Sequence, residues 1–440
     1  MPLSRRQFHQ MICATALTGM AVGPVRHSAN AEQQATGPLE TFVPTRSITK
    51  GPANHWFGYY DKREFDPSGR YVLANQTSFE GRAPTGDDSI KVGYVDTQKS
   101  DEWCPLGTSR AWGWQQGCML QWVGDQGQQV LWNDREGDRF VCRVRSMVDG
   151  KLRTLSRPIY TISSDGKFGL SVDFRRIDNL RPGYGYDGLA DPHVDQRAPA
   201  ESGIWRIDLA TGQERLIMSL AEAAAIPWPG GDRYAGAWHY FNHLLINPSG
   251  TRFTVLHRYR PVFDPETLSF EGVANNGFIT RMITANLDGS QRYVLDPSGR
   301  TSHFIWKNDE EITMWTRPKG AASGFYTLKD QTREIMPVGH EKMPTNGHNT
   351  YLPHPYQDWI LNDTYPDRKT SRQTVFLYHV PSGRRFDLGH FPSPGAYRGE
   401  WRCDTHPRSS DDGTKVAIDS PHDHGRQVYL MDVRSILESV

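Results

Sequence analysis

One unit recurs along this chain: an apolar residue, a polar turn often written Pro-Ser-Gly or Ser-Asp-Gly, and then a strand of alternating apolar residues. It appears as FDPSGRYVLA from Phe65, WVGDQGQQVLW from Trp122, ISSDGKFGLSVD from Ile162, INPSGTRFTVLH from Ile246, WKNDEEITMW from Trp306, LPHPYQDWILND from Leu352 and SSDDGTKVAIDS from Ser409. A repeat of this kind limits the fold strongly, because one copy cannot bury its own apolar face and must stack on its neighbours. Many copies continue into a third strand that ends in a polar turn, such as IKVGYVDTQ, GIWRIDLATGQ, RMITANLDGSQ, VFLYHVPSGR and RQVYLMDV. Period-two strands joined by Gly, Asp and Ser turns, with no long helical pattern, define an all-β chain. Copies of about 40 to 50 residues match four-stranded blades, so the expected architecture is a seven-bladed β-propeller.

Two irregularities refine that expectation. The last copy runs out after its third strand, and the extended stretch LETFVPTRSIT at 39–49 is suited to supply the missing outer strand and close the ring non-covalently. The third and fourth copies are separated by a surplus, FRRIDNLRPGYGYDGLADPHVDQRAPAES, an insertion near residues 174–202. A loop that long on a compact scaffold is usually functional or disordered, and its Arg and Tyr content favours function.

The first residues read as an address. Arg5 and Arg6 in SRRQF, the short apolar run MICATALTGMAVG and the small residues Ala29 to Ala31 follow the order of a twin-arginine export signal, residues 1–31. The expectation is a single propeller domain over 32–440 that meets the twin-arginine (Tat) translocon during export and works in the periplasm or outside the cell. No other apolar run approaches the roughly 18 residues of a membrane span, so no stable membrane insertion is expected. A formal charge of zero with 23% charged residues lacks the basic surplus of a nucleic-acid binder. Cys104, Cys118, Cys142 and Cys403 form no C-x-x-C pair, which leaves a zinc knuckle unsupported and one or two disulfides open.

The histidines are phased with the repeat. His243 and His406 each stand seven residues before a turn glycine, Gly250 and Gly413, and His303 stands seven before Glu310, which takes the glycine's place. His348 precedes Pro353 by five, as His243 precedes Pro248. Four consecutive copies thus carry a histidine at one phase of the innermost strand, and equivalent positions of successive blades converge on the propeller axis. Singly, each would be read as a core histidine; together they point to a metal or catalytic site. Imidazoles suit a first-row divalent ion, and Asp404, two residues before His406 on the same strand face, adds a carboxylate. His55, Tyr59 and Tyr60, then Trp114, Gln115 and Gln116, then His239, put aromatic and amide groups on other inner strands, as a sugar cleft requires. Packing between blades is the competing reading for Trp56, Trp114 and Trp238.

HWFGYYDK at His55, FNHLLINPSG around His243, SHFIWKND around His303, GHNTYLPHP around His348 and RCDTHPRSSDDG around His406 resemble the seven-bladed propeller polysaccharide lyases. The resemblance is closest to the oligogalacturonate lyase type, with ulvan and rhamnose-glucuronate lyases as further relatives. It implies that His303 and His406 are metal ligands and His243 the catalytic histidine. The chain departs from that pattern where Asp404 replaces a second histidine, where Trp401 and Arg402 stand in the region of a glutamine ligand, and where Gly203 stands for an arginine. The ulvan-type relatives use histidine, tyrosine and arginine, and RPGYGY offers Arg181, Tyr184 and Tyr186 beside Arg175 and Arg176; a loop that merely caps the propeller is the alternative.

The resulting expectation is a lyase that cleaves a uronic-acid-containing oligosaccharide or polysaccharide by metal-assisted β-elimination. A divalent ion, manganese or zinc, would sit on His303, His348, Asp404 and His406. His243 would be the base, Tyr186 or His55 the acid, and Arg181 an electrostatic clamp, with Trp114, Gln116, Arg175, Tyr184 and His239 contacting the sugar. The rival readings are a propeller glycoside hydrolase resembling α-L-rhamnosidases, and a non-catalytic TolB-like binding propeller.

Overall fold

Each repeat folds as a hairpin whose turn is held by its own polar residues. In the computed structural model, which describes residues 38–228, 236–261, 263–266 and 277–440, Asp66 accepts from the N–H groups of Ser68, Arg70 and Tyr71 at 3.1, 2.8 and 2.6 Å. Asn247 does the same in the fourth copy, accepting from the N–H groups of Thr251 and Arg252 at 2.9 Å. Gly69 and Gly250 complete these turns at φ 65° and 71°, where a side chain would be strained. The expected export signal lies outside the described residues.

Seven antiparallel sheets result, one for each copy. Blade one is Asn54–Trp56, Tyr71–Thr77, Ile90–Asp96 and Glu102–Ser109 from the inside outwards. The innermost strands of blades two to seven are Gln121–Val123, Thr161–Ile162, Trp238–Ile246, Phe304–Trp306, Thr350–Tyr351 and Arg408–Ser409. The chain is therefore a seven-bladed β-propeller. Thr45–Ser47 is the outer strand of blade seven, with Thr45, Arg46 and Ser47 opposite Met431, Leu430 and Tyr429. Glu40–Thr41 reaches one blade further back and pairs with Arg384–Pro392 as a fifth strand of blade six.

Apolar faces pack between blades: Leu361, Leu377 and Leu388 of blade six meet Val416, Ile418 and Met431 of blade seven. That arrangement leaves the axis to the polar residues of the inner strands. The insertion is fastened to the body. Asp173 caps the helix Phe174–Leu180, and its buried Arg176 donates to the carbonyls of His193, His239, Gln196 and Arg197 while pairing with Asp191 at 3.3 Å. Cys104, Cys118, Cys142 and Cys403 are free thiols, so the open disulfide expectation is not realised. No helix among the described residues is long and apolar enough to cross a membrane.

Candidate metal centre and active site

The four phased histidines do converge, and two tyrosines from blade one fill the space among them. Tyr59 stands 5.0 Å from the His243 ring and 5.1 Å from the His406 ring; Tyr60 stands 5.3 Å from His348, 5.7 Å from His243 and 5.9 Å from His303. The Tyr60 hydroxyl is held between the carbonyl and N–H of Phe304 at 2.9 and 3.0 Å. The loop that brings them inward passes so close to Gln116 that a Cβ on Gly58, at φ 128°, would lie 2.8 Å from the Gln116 carbonyl carbon.

His348, Asp404 and His406 offer ligand atoms that lie within 4.8 Å of one another. Asp363, on the second strand of blade six, orients them. Its carboxylate accepts from His348 Nδ1 at 2.9 Å and from the N–H groups of His348 and His406 at 2.7 and 3.2 Å, which leaves His348 Nε2 as the ligand atom. His406 Nε2 is buried with no hydrogen-bond partner and lies 3.9 Å from Asp404 Oδ2. A buried, orphaned imidazole nitrogen beside a carboxylate and a second oriented imidazole fits a divalent cation, which would use that lone pair. His303 is the outlying member: its ring is 4.2 Å from that of His348, but Nε2 is 3.4 Å from the Tyr365 hydroxyl while Nδ1 meets Asn346 at 3.0 Å. Burial, with His348 next, holds His303 and His406 in the neutral form that ligates metals. Burial would lower His348 too, but Asp363 overrides it and raises the pKa.

His243 belongs to a second group. It sits at a β-bulge in the inner strand of blade four, at φ 53°, and His406 is likewise left-handed at φ 40°. Two histidines in a conformation uncommon for such residues, both at the axis, are local strain held by the surrounding fold. The Tyr160 hydroxyl accepts from the His243 N–H at 2.9 Å, and the Gln116 amide meets that hydroxyl at 2.8 Å. His243 Nε2 lies 3.1 Å from Asp61 Oδ2, and Lys62 Nζ donates to the other carboxylate oxygen at 2.9 Å. Burial raises Asp61, yet Lys62 and His243 bring it down to about 2. An ionised Asp61 requires Nε2 to carry the hydrogen, so the lone pair of His243 is on Nδ1. Burial takes His243 to about 4 against the opposing pull of Asp61.

Tyr184, from the insertion, forms the third group. Its hydroxyl accepts from Arg402 Nη2 at 2.8 Å, Arg402 Nε donates to Asp404 at 2.8 Å, and the Arg181 guanidinium lies 4.3 Å from the Tyr184 ring. Burial pushes the phenol up, but Arg402 and then Arg181 pull it down to about 7. Arg402 thus ties the candidate metal cluster to a phenol that exchanges its proton near neutrality.

The other expected site residues are engaged with partners of their own. Tyr186 stacks on Phe174 at 4.2 Å and accepts from Asn133 at 2.9 Å inside a core cluster, and burial pushes its phenol well up, which unsuits it as the acid. His55 meets Gln427 at 3.1 Å and Gln76 at 2.8 Å. Trp114 is packed with Trp56 and Trp112, its indole N–H donating to the Arg82 carbonyl, so the packing reading applies and no face is left for a sugar. Gln116 braces Tyr160, Arg175 pairs with its own cap Asp173 at 2.7 Å, and His239 Nδ1 meets His257 Nε2 at 3.0 Å. Asp61, Asp363 and Tyr365 were not singled out from sequence, and Arg402 was read only as a departure; none sits at the histidine phase.

No family model matches this sequence, and no curated protein does. Solved structures do share the fold. An oligogalacturonate lyase in complex with manganese superposes at TM-score 0.62 with 13% identity, over 92% of this chain and 100% of the other. The oligogalacturonate lyase of Vibrio parahaemolyticus superposes at 0.61 with 13% identity, over 91% and 98%.

Proposed function

We propose that this chain is a carbon–oxygen lyase that cleaves a uronate-containing oligosaccharide by β-elimination. The observation that carries the reading is the adjacency, through Arg402, of a buried His/Asp cluster with an orphaned imidazole nitrogen and a tyrosine held near neutrality. The likeness of the fold to oligogalacturonate lyases, one of them a manganese complex, supports it.

His348, Asp404 and His406, with His303 beside them, would hold a divalent cation, manganese or zinc. When bound, such an ion supplies positive charge to the uronate carboxylate, where negative charge develops in the transition state. His243 Nδ1, neutral above about pH 4, takes the proton from C5. The C5–H electron pair becomes the C4–C5 double bond, the C4–O4 bond breaks, and the Tyr184 hydroxyl gives its proton to O4. Tyr184 thereby takes the acid role expected of Tyr186 or His55, and Arg181 acts as a charge beside that phenol.

Glycoside hydrolysis ordinarily needs a pair of carboxyl groups, one kept protonated and one free to act on water or sugar. Asp404 is paired with Arg402 and Asp363 is engaged by His348 and two N–H groups, so neither is available for that chemistry. The leader with Arg5 and Arg6 supports a site of action in the periplasm or outside the cell, after passage through the Tat translocon.

The test is ultraviolet absorbance of the metal-supplemented protein incubated with a panel of uronate-containing oligosaccharides. Rising absorbance from an unsaturated uronate is expected. New reducing ends with a flat trace would instead mean hydrolysis, and no change on any sugar would favour a docking propeller.

A further inference from the structure

The fifth strand of blade six is shorter than the strand it covers. Glu40 and Thr41 lie opposite His390 and Gly389, and the Phe42 N–H donates to the Leu388 carbonyl at 2.9 Å, after which the chain leaves for blade seven. Residues 384–387 therefore have no strand on their outer side among the described residues. At this step lies an open groove of about 700 Å³, lined by Phe42, Phe386, Lys342, Arg384, Arg385 and Asp387 among others. Its size is that of a ligand site. The groove is on the fourth strand counted from the axis, so it is separate from the histidine cluster on the inner strands.

The charges in the groove do not cancel. Arg385 Nε donates to Asp387 at 2.7 Å and its Nη1 to the Lys342 carbonyl at 2.8 Å, which makes a neutral pair and fixes the Lys342 backbone at the groove. Lys342 and Arg384 are exposed and have no carboxylate partner among the described residues. The Arg384 guanidinium lies 4.6 Å from the Phe386 ring, and its Nη1 reaches only the Ser439 carbonyl at 3.5 Å. Phe42, edge-on to His390 at 5.3 Å, is 57% exposed. Cations alone would be explained as protection of an open sheet edge against another strand, but an exposed phenyl ring on the same edge works against that protection. Aromatic rings beside two unneutralised cations match a chain that alternates apolar C–H faces with carboxylates.

We infer that this groove is a secondary binding site for a polyuronate chain, which it holds on the rim of blade six and so raises the local concentration of cleavable bonds. The choice of a uronate chain over another polyanion rests on the lyase reading; the groove and its charge do not.

The test is native electrophoresis of the full protein, stripped of metal, through gels containing polygalacturonate, alginate, dextran or poly-L-glutamate. The unaltered protein should be retarded by polygalacturonate or alginate, less by poly-L-glutamate and not by dextran. Lys342→Gln, Arg384→Gln and Phe42→Ala should each weaken that binding by about 3- to 10-fold. All three side chains are exposed, so the unfolding temperatures should stay at that of the parent. No retardation by either polyuronate, or retardation that survives all three substitutions, would overturn the proposal. Equal retardation by poly-L-glutamate would give the groove to an acidic peptide, and a dimer in sedimentation that Phe42→Ala dissolves would give it to a second copy of the chain; either result overturns the glycan assignment. A flat absorbance trace in the lyase assay with retardation intact would remove the lyase reading and leave a glycan-binding groove, whereas rising absorbance without retardation would do the reverse.

Discussion

The Asp363 carboxylate accepts hydrogen bonds from His348 Nδ1, from the N–H groups of His348 and His406, and from the Thr405 hydroxyl at 2.6 Å. It therefore sets both the tautomer of one candidate ligand and the backbone of the other. Asp363→Asn should weaken manganese or zinc binding by about 10- to 100-fold, measured by calorimetric titration, as expected for loss of a carboxylate behind a ligating imidazole. The proton-transfer residues set a second expectation. A base acts when deprotonated and an acid when protonated, so kcat/KM should rise as pH climbs through about 4, for His243, and fall as it climbs through about 7, for Tyr184. Tyr184→Phe should lower kcat by about 10²- to 10⁴-fold and abolish the alkaline limb; a variant that keeps both would exclude the phenol as the acid. At this scale the histidines were legible because they repeat. Tyr184 and Tyr186 were not distinguishable: they flank Gly185, where a Cβ would lie 2.3 Å from the Phe174 carbonyl oxygen, and both rings enter one buried cluster, where only the hydroxyl partners differ, Arg402 for Tyr184 and Asn133 for Tyr186. Asp61 comes from a loop and Asp363 from a second strand, so no single phase contains them.

Among the elements, the inner strand of blade four differs from its counterparts. His303, His348 and His406 lie just before the paired parts of their strands, whereas His243 lies within Trp238–Ile246 and reaches the axis only because the register slips between Asn242 and Leu244. The seven-residue spacing to the turn glycine counts residues and so conceals the bulge. A left-handed alanine is strained and a left-handed glycine is not, so His243→Gly should be more stable than His243→Ala by about 1 kcal/mol in denaturant unfolding, although both lose the imidazole. The opposite order would mean that the bulge relaxes once the imidazole is gone. The blades themselves were readable from sequence because the turn chemistry recurs with little variation, whereas the docking of the insertion depends on Arg176 reaching four carbonyls that no local pattern announces.

For the whole molecule, the ring and the site depend on one another. The candidate ligands come from blades five, six and seven, and the tyrosines among them come from blade one, across the seam that Thr45–Ser47 helps to close. The seam is also bridged at depth: Arg408 of blade seven pairs with Glu64 at 2.8 Å, and Asp419 accepts from the N–H groups of Phe57 and Gly58 at 3.1 and 3.2 Å, just ahead of Tyr59 and Tyr60. A chain beginning at residue 48 should unfold at a lower temperature and self-associate, since the edge of Gln427–Asp432 would lie open to another chain. It should also bind metal more weakly, because whatever lets blades seven and one separate displaces the tyrosines against which His348 and His406 pack. Linkage makes the effect reciprocal. A metal at 100 times its dissociation constant stabilises a folded protein by about 2.7 kcal/mol, so manganese should raise the unfolding temperature of the full chain more than that of the shortened one at equal concentration. Equal shifts in the two proteins would mean that blades five to seven hold the ligands by themselves, and that closure of the ring serves stability without shaping the site.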